Sequence, residues 1–148
     1  MFENSENRAK IKSLKIFENA PIEIKDGWTD LVYELGKDIT ELCELTNCEL
    51  PYIQQVKSKY SHLKFYYNTR NSTYPQIVEK SIKALVEKAE KKSETTCEYC
   101  GNEGETKYLD GYWFTACDNH KRNSITLEEW QTLDKKIRAG RLVPEYSI

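Results

Sequence analysis

The chain has 148 residues, of which 39% are hydrophobic and 31% are charged, and its formal net charge at pH 7 is -2. This composition is typical of one folded soluble domain, and no run approaches the roughly 18 apolar residues of a membrane span, so we expect no membrane association. The charge is unevenly distributed. Residues 26 to 50 hold seven acidic residues and one lysine, whereas residues 51 to 74 hold three lysines, one arginine and no acidic residue.

The sequence begins MFENSENRAK, without an apolar signal segment, which predicts a protein of the cytoplasm. Residues 1 to 20 mix polar residues with scattered Ile and Leu. We interpret them as a short helical or extended lead-in and make no prediction of whether this segment is structurally ordered.

From Asp26, the segment DGWTDLVYELGKDITELCEL has apolar residues at helical spacing, which predicts an amphipathic helix. The polar face of this helix is acidic, which indicates either a solvated surface or a docking surface for a basic partner. The apolar stripe contains Trp28, Leu31, Val32, Leu35, Ile39, Leu42 and Leu45, and the acidic face contains Asp30, Glu34, Asp38, Glu41 and Glu44.

The next segment, PYIQQVKSKYSHLKFYYNTR, changes to the alternation of a β-strand. Ile53 and Val56 predict one short strand, while Leu63, Phe65 and Tyr67 line one face of a second, so a short antiparallel hairpin or meander is expected. The other face is basic and aromatic and is a candidate partner-binding surface. Its residues are Lys57, Lys59, Tyr60, His62, Lys64, Tyr66 and Arg70.

Two further helices are predicted. The segment TYPQIVEKSIKALVEKAEKKS has helical spacing and a candidate cap at Thr73, and SITLEEWQTLDKKIRAG begins with a capping box from Thr126 to Glu129 and stops at Gly140. Their apolar positions are Ile77, Ile82, Leu85, Val86 and Ala89 in the first, and Leu127, Trp130, Leu133 and Ile137 in the second.

Between these helices lies TTCEYCGNEGETKYLDGYWFTACDNH, which has the ligand spacing of a structural metal site. Cys97 and Cys100 form one C-x-x-C pair, and Cys117 and His120 form a second pair with the same spacing. Four such donors complete the tetrahedron that zinc prefers. The 16 intervening residues are enough for a short hairpin that returns the second pair to the first, and Gly101 suits a knuckle turn.

Three other interpretations of these residues fit the sequence less well. Disulfides would need an oxidising compartment, and five cysteines leave one unpaired. A thioredoxin-like redox pair would need a strand before Cys97 and a helix after it, whereas a glutamate-rich helix precedes it and Gly101 follows. A catalytic zinc would need an open coordination position, which four good ligands do not leave. One structural zinc ion is therefore expected, with Cys43 and Cys48 as incidental thiols.

The predicted fold class is α+β: an amphipathic helix, a short antiparallel hairpin or meander, a second long helix, a zinc-knuckle or ribbon-like module, and a C-terminal helix. The expected organisation is an α+β core over residues 1–94, the zinc module over 95–123, and the last helix and tail over 124–148, all in one domain.

Several stretches together resemble a set of small uncharacterised bacterial and bacteriophage proteins. These stretches are DGWTDLVYELGKDI, VKSKYSHLKFYYN, AEKKSETTCEYCGNEGE and GYWFTACDNH, from about Gly27 to His120. The resemblance implies zinc ligation by the same four Cys and His residues and implies no catalytic residue. Tyr112 stands where the pattern usually has tryptophan, Lys64 where it has arginine, and His62 where it often has a small residue.

Three functional hypotheses follow. The leading one is a non-enzymatic, zinc-stabilised interaction protein; the phage or mobile-element setting implied by the resemblance makes a host protein the expected partner, with inhibition of a host enzyme or defence system as the effect. The alternative is nucleic-acid or nucleotide binding through the hairpin at 57–70. A remote alternative is a metal-dependent nuclease, because His120 and Asn123 are similar to the histidine and asparagine of zinc-stapled His-Asn-His nucleases.

Overall fold

A computed structural model of the protein describes residues 4–69 and 74–140, and within these ranges the fold is α+β, as predicted. Arg70 and Thr73, which were assigned to the partner-binding surface and to a helix cap, lie outside the described residues. The elements in chain order are α1 (Ser5–Lys12), β1 (Ile22–Glu23), α2 (Thr29–Leu45), β2 (Tyr52–Lys59), β3 (His62–Asn68), α3 (Gln76–Ser93), β4 (Glu105–Leu109), β5 (Tyr112–Ala116), β6 (Ile125–Thr126) and α4 (Leu127–Arg138).

The first sheet has the strand order β1-β2-β3, with β1 parallel to β2 and β3 antiparallel to it. The predicted hairpin is therefore confirmed, while the short parallel strand β1 was not predicted. Ile53 and Val56 both face the core although they are three residues apart. In a regular strand, side chains at this spacing point to opposite faces. The register shifts between Ile53 and Gln55, and such a bulge places residues at this spacing on the same face.

The main core forms where α2 and α3 pack against this hairpin. Most of the predicted apolar stripe of α2 is buried there, and Trp28 and Ile39 are fully inaccessible to solvent. Two positions of these helices were wrongly assigned to the core, and Leu127 of α4, which is 42% exposed, is a third. Leu45 is 87% exposed because it is the last residue of α2, and Ile77 is 71% exposed because the buried stripe of α3 begins one position later, at Val78. One residue along a helix rotates a side chain by about 100°.

The N-terminal segment, which was given no assigned order, belongs to the same core. It forms α1 and a short 3-10 turn at Lys15–Phe17. Ile11 and Phe17 are completely buried, and the Phe17 ring packs edge-on against Phe65 of β3 at a centroid distance of 6.0 Å. The segment thus covers part of the hairpin that would otherwise face water.

Helix α3 covers the outer edge of β3. The Leu63 amide donates to the Ser93 hydroxyl at 2.8 Å, and the Phe65 amide donates to the Glu90 carboxylate at 3.0 Å. Exposed strand edges offer unpaired amides to other chains. Side chains of α3 satisfy both amides here, so this part of the edge is closed to a further strand.

The second sheet has the order β5-β4-β6 and belongs to the Cys/His module. Asp110 and Gly111, both with positive φ, form the turn between β4 and β5, so the hairpin expected between the two ligand pairs is present. Strand β6 lies beyond the predicted module limit of 123 and pairs with β4. The predicted capping box from Thr126 to Glu129 is confirmed, and Trp130 of α4 packs edge-on against Trp113 at 5.1 Å.

Among the described residues, no helix combines the length and the apolar character needed to cross a membrane.

Candidate metal centre

Cys97, Cys100, Cys117 and His120 converge on one point, and their ligand atoms all lie within 4.8 Å of one another. The distance from Cys100 Sγ to Cys117 Sγ is 3.6 Å, and His120 Nδ1 lies 3.2 Å from Cys117 Sγ and 3.8 Å from Cys97 Sγ. In a tetrahedron with zinc–sulfur bonds of about 2.3 Å and zinc–nitrogen bonds of about 2.0 Å, the donors are about 3.5 to 3.8 Å apart. A disulfide would need about 2.05 Å between sulfurs. The separations of 3.6 and 3.8 Å match this tetrahedron, and the cluster as a whole is compact enough for one shared metal ion.

The pKa values of two thiols in the cluster are shifted in opposite directions. Burial raises the pKa of the Cys97 thiol, but hydrogen bonds from backbone amides at Cys117, Cys100 and Tyr99 outweigh it, so this pKa lies below its ordinary value. At Cys100, a backbone hydrogen bond from Asn102 lowers the pKa, but burial and the neighbouring thiols raise it above the ordinary value. Thiolates so close together repel one another, and a bound metal ion would offset this repulsion and keep the thiols deprotonated.

Local backbone geometry aims the first ligand pair. The Cys97 amide donates to the Asn102 carbonyl at 2.7 Å, and the Gly101 amide donates to the Cys97 carbonyl at 2.9 Å. Gly101 has a φ of +82°, which residues with a side chain rarely adopt. The sequence motif C-E-Y-C-G thus folds into the predicted knuckle turn, because glycine follows the second cysteine.

Tyr99, inside the C-x-x-C motif, supports the histidine ligand. Its ring stacks on the His120 ring with centroids 5.6 Å apart and an interplanar angle of 18°. Lys25 Nζ lies 5.3 Å from the Tyr99 centroid and Arg122 Cζ lies 5.5 Å from it, so two cations contact the same ring. This arrangement fixes the orientation of His120, with Nδ1 toward the sulfurs.

The Gly27–Trp28 pair connects the module to the first core. The Gly27 amide donates to the Glu98 carbonyl at 2.8 Å, and the Trp28 indole N–H donates to the Thr96 carbonyl at 2.8 Å. A Cβ atom on Gly27 would lie 2.5 Å from the Glu98 carbonyl carbon and closer still to the Cys97 carbonyl oxygen. Only glycine allows this approach, while the Trp28 ring is fully buried in the main core.

Glu98 ties the knuckle to the second sheet. The Glu98 amide donates to the Thr115 carbonyl at 2.9 Å, and the Thr115 amide donates to Glu98 Oε2 at 2.8 Å. The other carboxylate oxygen, Oε1, faces Lys25 Nζ at 3.8 Å. The Glu98 side chain is 1% exposed, so this carboxylate serves the interior of the module.

The turn of the first hairpin docks on the module as well. Tyr60 and Ser61 both have positive φ, an unusual backbone for two residues with side chains. Thr115 Oγ1 donates to the Ser61 carbonyl at 2.7 Å, and the Ser61 hydroxyl lies 3.2 Å from Thr106 Oγ1. These hydrogen bonds offset the unfavourable turn conformation, and they join the metal module to the basic hairpin.

The described members of the predicted partner-binding set lie on or beside one exposed surface, which we call the open face. Strand register places Lys57 opposite Lys64, Lys59 opposite His62, and Gln55 opposite Tyr66. These pairs alternate with the buried pair Val56 and Phe65, and therefore point away from the core. Tyr60 lies in the turn at the end of the open face and is 70% exposed.

Cys43 and Cys48 lie outside the metal cluster. Cys43 is buried in the main core, and burial raises the pKa of its thiol. Cys48 packs against the same core and is half-buried.

The sequence interpretation missed the contacts that join the module to the core. Glu98 is polar and sits in a turn, where an exposed side chain is the usual expectation. Gly27 and Trp28 were interpreted only as the start of a helix, although their presence beside the Cys/His pattern in the resemblance was a signal that the two segments act together.

Comparisons of the chain with models of protein families, with curated proteins and with solved structures found no match.

Proposed function

We propose that the protein is a non-enzymatic interaction protein, stabilised by one structural zinc ion, that presents the open face to a macromolecular partner. The observation that carries this proposal is the docking of the hairpin turn on the metal module, through Ser61 and Thr115. A zinc ion that orders the module thereby also positions the surface on which most of the exposed basic and aromatic residues of the hairpin lie.

Zinc is proposed as the metal because three thiolates and one imidazole form a donor set that it prefers. The four donors would fill its tetrahedral coordination, so the ion would stabilise the fold without binding substrate. His120 then serves as a ligand and is not free to act as the general base that the nuclease alternative requires. Reduced thiols also agree with a reducing compartment, and we propose the cytoplasm of a host cell.

The biological setting is proposed from the resemblance to bacterial and bacteriophage proteins. A small protein encoded by a phage or mobile element would act by binding a host macromolecule and changing its activity, for example a host enzyme or a defence system. The acidic face of α2 is the rival surface for such a contact, since Glu34, Asp38 and Glu41 are all exposed.

Metal content tests the first half of the proposal. Elemental analysis of protein purified without added metal should find one zinc per chain, and Cys97→Ala should lower the content. Two ions per chain would implicate Cys43 and Cys48, and no transition metal at all would end the proposal of a structural zinc.

Partner capture tests the second half. Affinity purification from the native host, with identification of both proteins and nucleic acids, is compared for the wild type, an open-face variant and an α2 variant. Simultaneous replacement of Lys59, Lys64 and Tyr66 by Ser should abolish the contact while metal content and melting temperature stay nearly unchanged. If this variant retains its partner, and reversing the charge of Glu34, Asp38 and Glu41 removes it, the contact lies on α2 instead.

A further inference from the structure

The open face brings like charges together. Lys57 and Lys64 are directly opposed in the register of β2 and β3, and Lys59 lies two residues from Lys57 on the same face. Like charges in directly opposite positions destabilise a sheet. Such an arrangement is expected where the charges serve a ligand instead of the fold.

Acidic side chains give these lysines little compensation. The strands β2 and β3 contain no acidic residue. Glu23 of the neighbouring strand β1 pairs with Lys57. Glu94 of α3 lies 3.7 Å from the ring of His62, and not beside one of the three lysines. Among the described residues, none of Lys57, Lys59 and Lys64 lies within 4.0 Å of a carboxylate oxygen. The three ammonium groups are therefore available to an anion.

Aromatic rings lie among these lysines. Tyr66 is 39% exposed and is two residues from Lys64 on the same face of β3. At the turn, Lys59 Nζ lies 5.9 Å from the centroid of the Tyr60 ring. A flat ring beside an ammonium group suits a ligand that has both a planar base and a phosphate.

The strand edge argues against a peptide as the ligand. A peptide that extends a sheet pairs with free backbone amides at an edge. The Leu63 and Phe65 amides of β3 already donate to Ser93 and Glu90. Binding at this part of the first sheet must therefore use side chains of the open face.

From these observations we propose that the open face binds single-stranded nucleic acid, with Lys57, Lys59 and Lys64 on the phosphates and a base stacked on Tyr66. This inference rests on the proposed function, because it names the class of ligand that the same open face would bind. Double-stranded nucleic acid is not the proposed ligand, because its bases are paired and stacked and do not offer a free face to Tyr66.

Fluorescence anisotropy tests the proposal with the full-length, zinc-loaded protein and four labelled probes: a 12-nucleotide oligo(dT), a 12-nucleotide oligo(rU), a 12-base-pair DNA duplex and a 12-base-pair RNA duplex. Three phosphate contacts predict a slope of log affinity against log salt of about -2, so affinity for a single strand falls about 20-fold between 50 and 200 mM salt. Preference for oligo(dT) or oligo(rU) separates a DNA-binding from an RNA-binding protein.

Two variants separate charge from stacking. Lys57→Gln with Lys64→Gln should reduce the steepness of the salt slope by about 1.4. Tyr66→Thr should weaken single-strand binding by about 5- to 150-fold, whereas Tyr66→Phe, which keeps the ring, should bind like wild type. The matched control is Lys37→Gln with Lys91→Gln, which removes the same charge from exposed positions on α2 and α3 and should leave binding unchanged.

Three outcomes overturn the proposal. Tighter binding of the duplexes than of the single strands, or an equal effect of the control variant, would show attraction to any polyanion without a site. No oligonucleotide binding at 50 mM salt would exclude nucleic acid as the ligand. In that case, the proposed function still stands if the Lys59, Lys64 and Tyr66 variant loses a host protein in affinity purification, and it fails as well if that variant retains every partner.

Discussion

The contact between Gly27 and the metal knuckle allows a precise test, the substitution Gly27→Ala. The φ of Gly27 is not in the positive region, so alanine can adopt the backbone and only the added methyl group matters. That methyl group would lie 2.5 Å from the Glu98 carbonyl carbon and 2.6 Å from the Glu98 carbonyl oxygen. Backbone atoms cannot rotate away as a side chain can, so the knuckle or the turn at Asp26–Trp28 must shift.

The expected cost follows from two terms. Overpacking of this kind costs about 1 to 3 kcal/mol. Separation of the two segments also weakens the hydrogen bond from the Gly27 amide to the Glu98 carbonyl, worth about 0.5 to 1.5 kcal/mol. We therefore expect a loss of about 2 to 4 kcal/mol in the free energy of unfolding. For a chain of about 150 residues this lowers the melting temperature by about 5 to 15 °C.

Chemical denaturation of the zinc-loaded protein measures this loss, and competition with a chromophoric chelator measures zinc affinity. The knuckle turn that begins at Cys97 both contacts Gly27 and carries two of the four candidate zinc ligands. The apparent zinc Kd should therefore rise about tenfold for each 1.4 kcal/mol by which the docking of this turn is weakened. Lys37→Ala is the control, since Lys37 is exposed on α2 and its replacement should change stability by less than about 0.5 kcal/mol. If Gly27→Ala unfolds like wild type, the close approach of the two segments is wrong.

Three further predictions concern the core, the metal and α4. Leu35→Ala should cost about 2 to 5 kcal/mol in chemical denaturation because Leu35 is 3% exposed, whereas Leu45→Ala should change stability by less than about 0.5 kcal/mol; equal effects would contradict the packing of α2. Chelation should expose the segment 95–123 to protease before the rest of the chain, as mass spectrometry of the fragments would report, and an unchanged cleavage pattern would show that no metal orders it. Hydrogen bonds from Thr126 hold the pKa of Glu129 below its ordinary value of 4.5, so the capping box contributes stability above that pH and loses it as the pH falls through the lowered pKa. The indole NMR signal of Trp130 should therefore shift in acid. In Thr126→Ala the midpoint of this shift should move to higher pH, because the side-chain hydrogen bond of Thr126 is lost, and an unchanged midpoint would contradict this account of the cap.

The sequence by itself determined the three longer helices, the two hairpins and the Cys/His cluster, because these depend on local spacing, whereas α1 and β1 were not predicted. Helical periodicity identified α2 and α3, alternation identified β3, and the Thr126 to Glu129 pattern identified the start of α4. The C-x-x-C and C-x-x-H pairs were recognisable for the same reason, since each pair lies on one tight turn. Errors such as Ile77 occurred where one position decides whether a side chain faces the core or the solvent.

Only the tertiary structure decided how these parts meet. Gly27 and Glu98 are far apart in the chain, and neither residue type signals a partner, yet their backbones touch. The docking of Ser61 on Thr115 likewise depends on the relative position of two sheets, which no local pattern specifies. The register of β2 and β3 decides which residues lie on the open face. A shift of one residue would send Lys57 and Lys64 to the opposite side of the sheet.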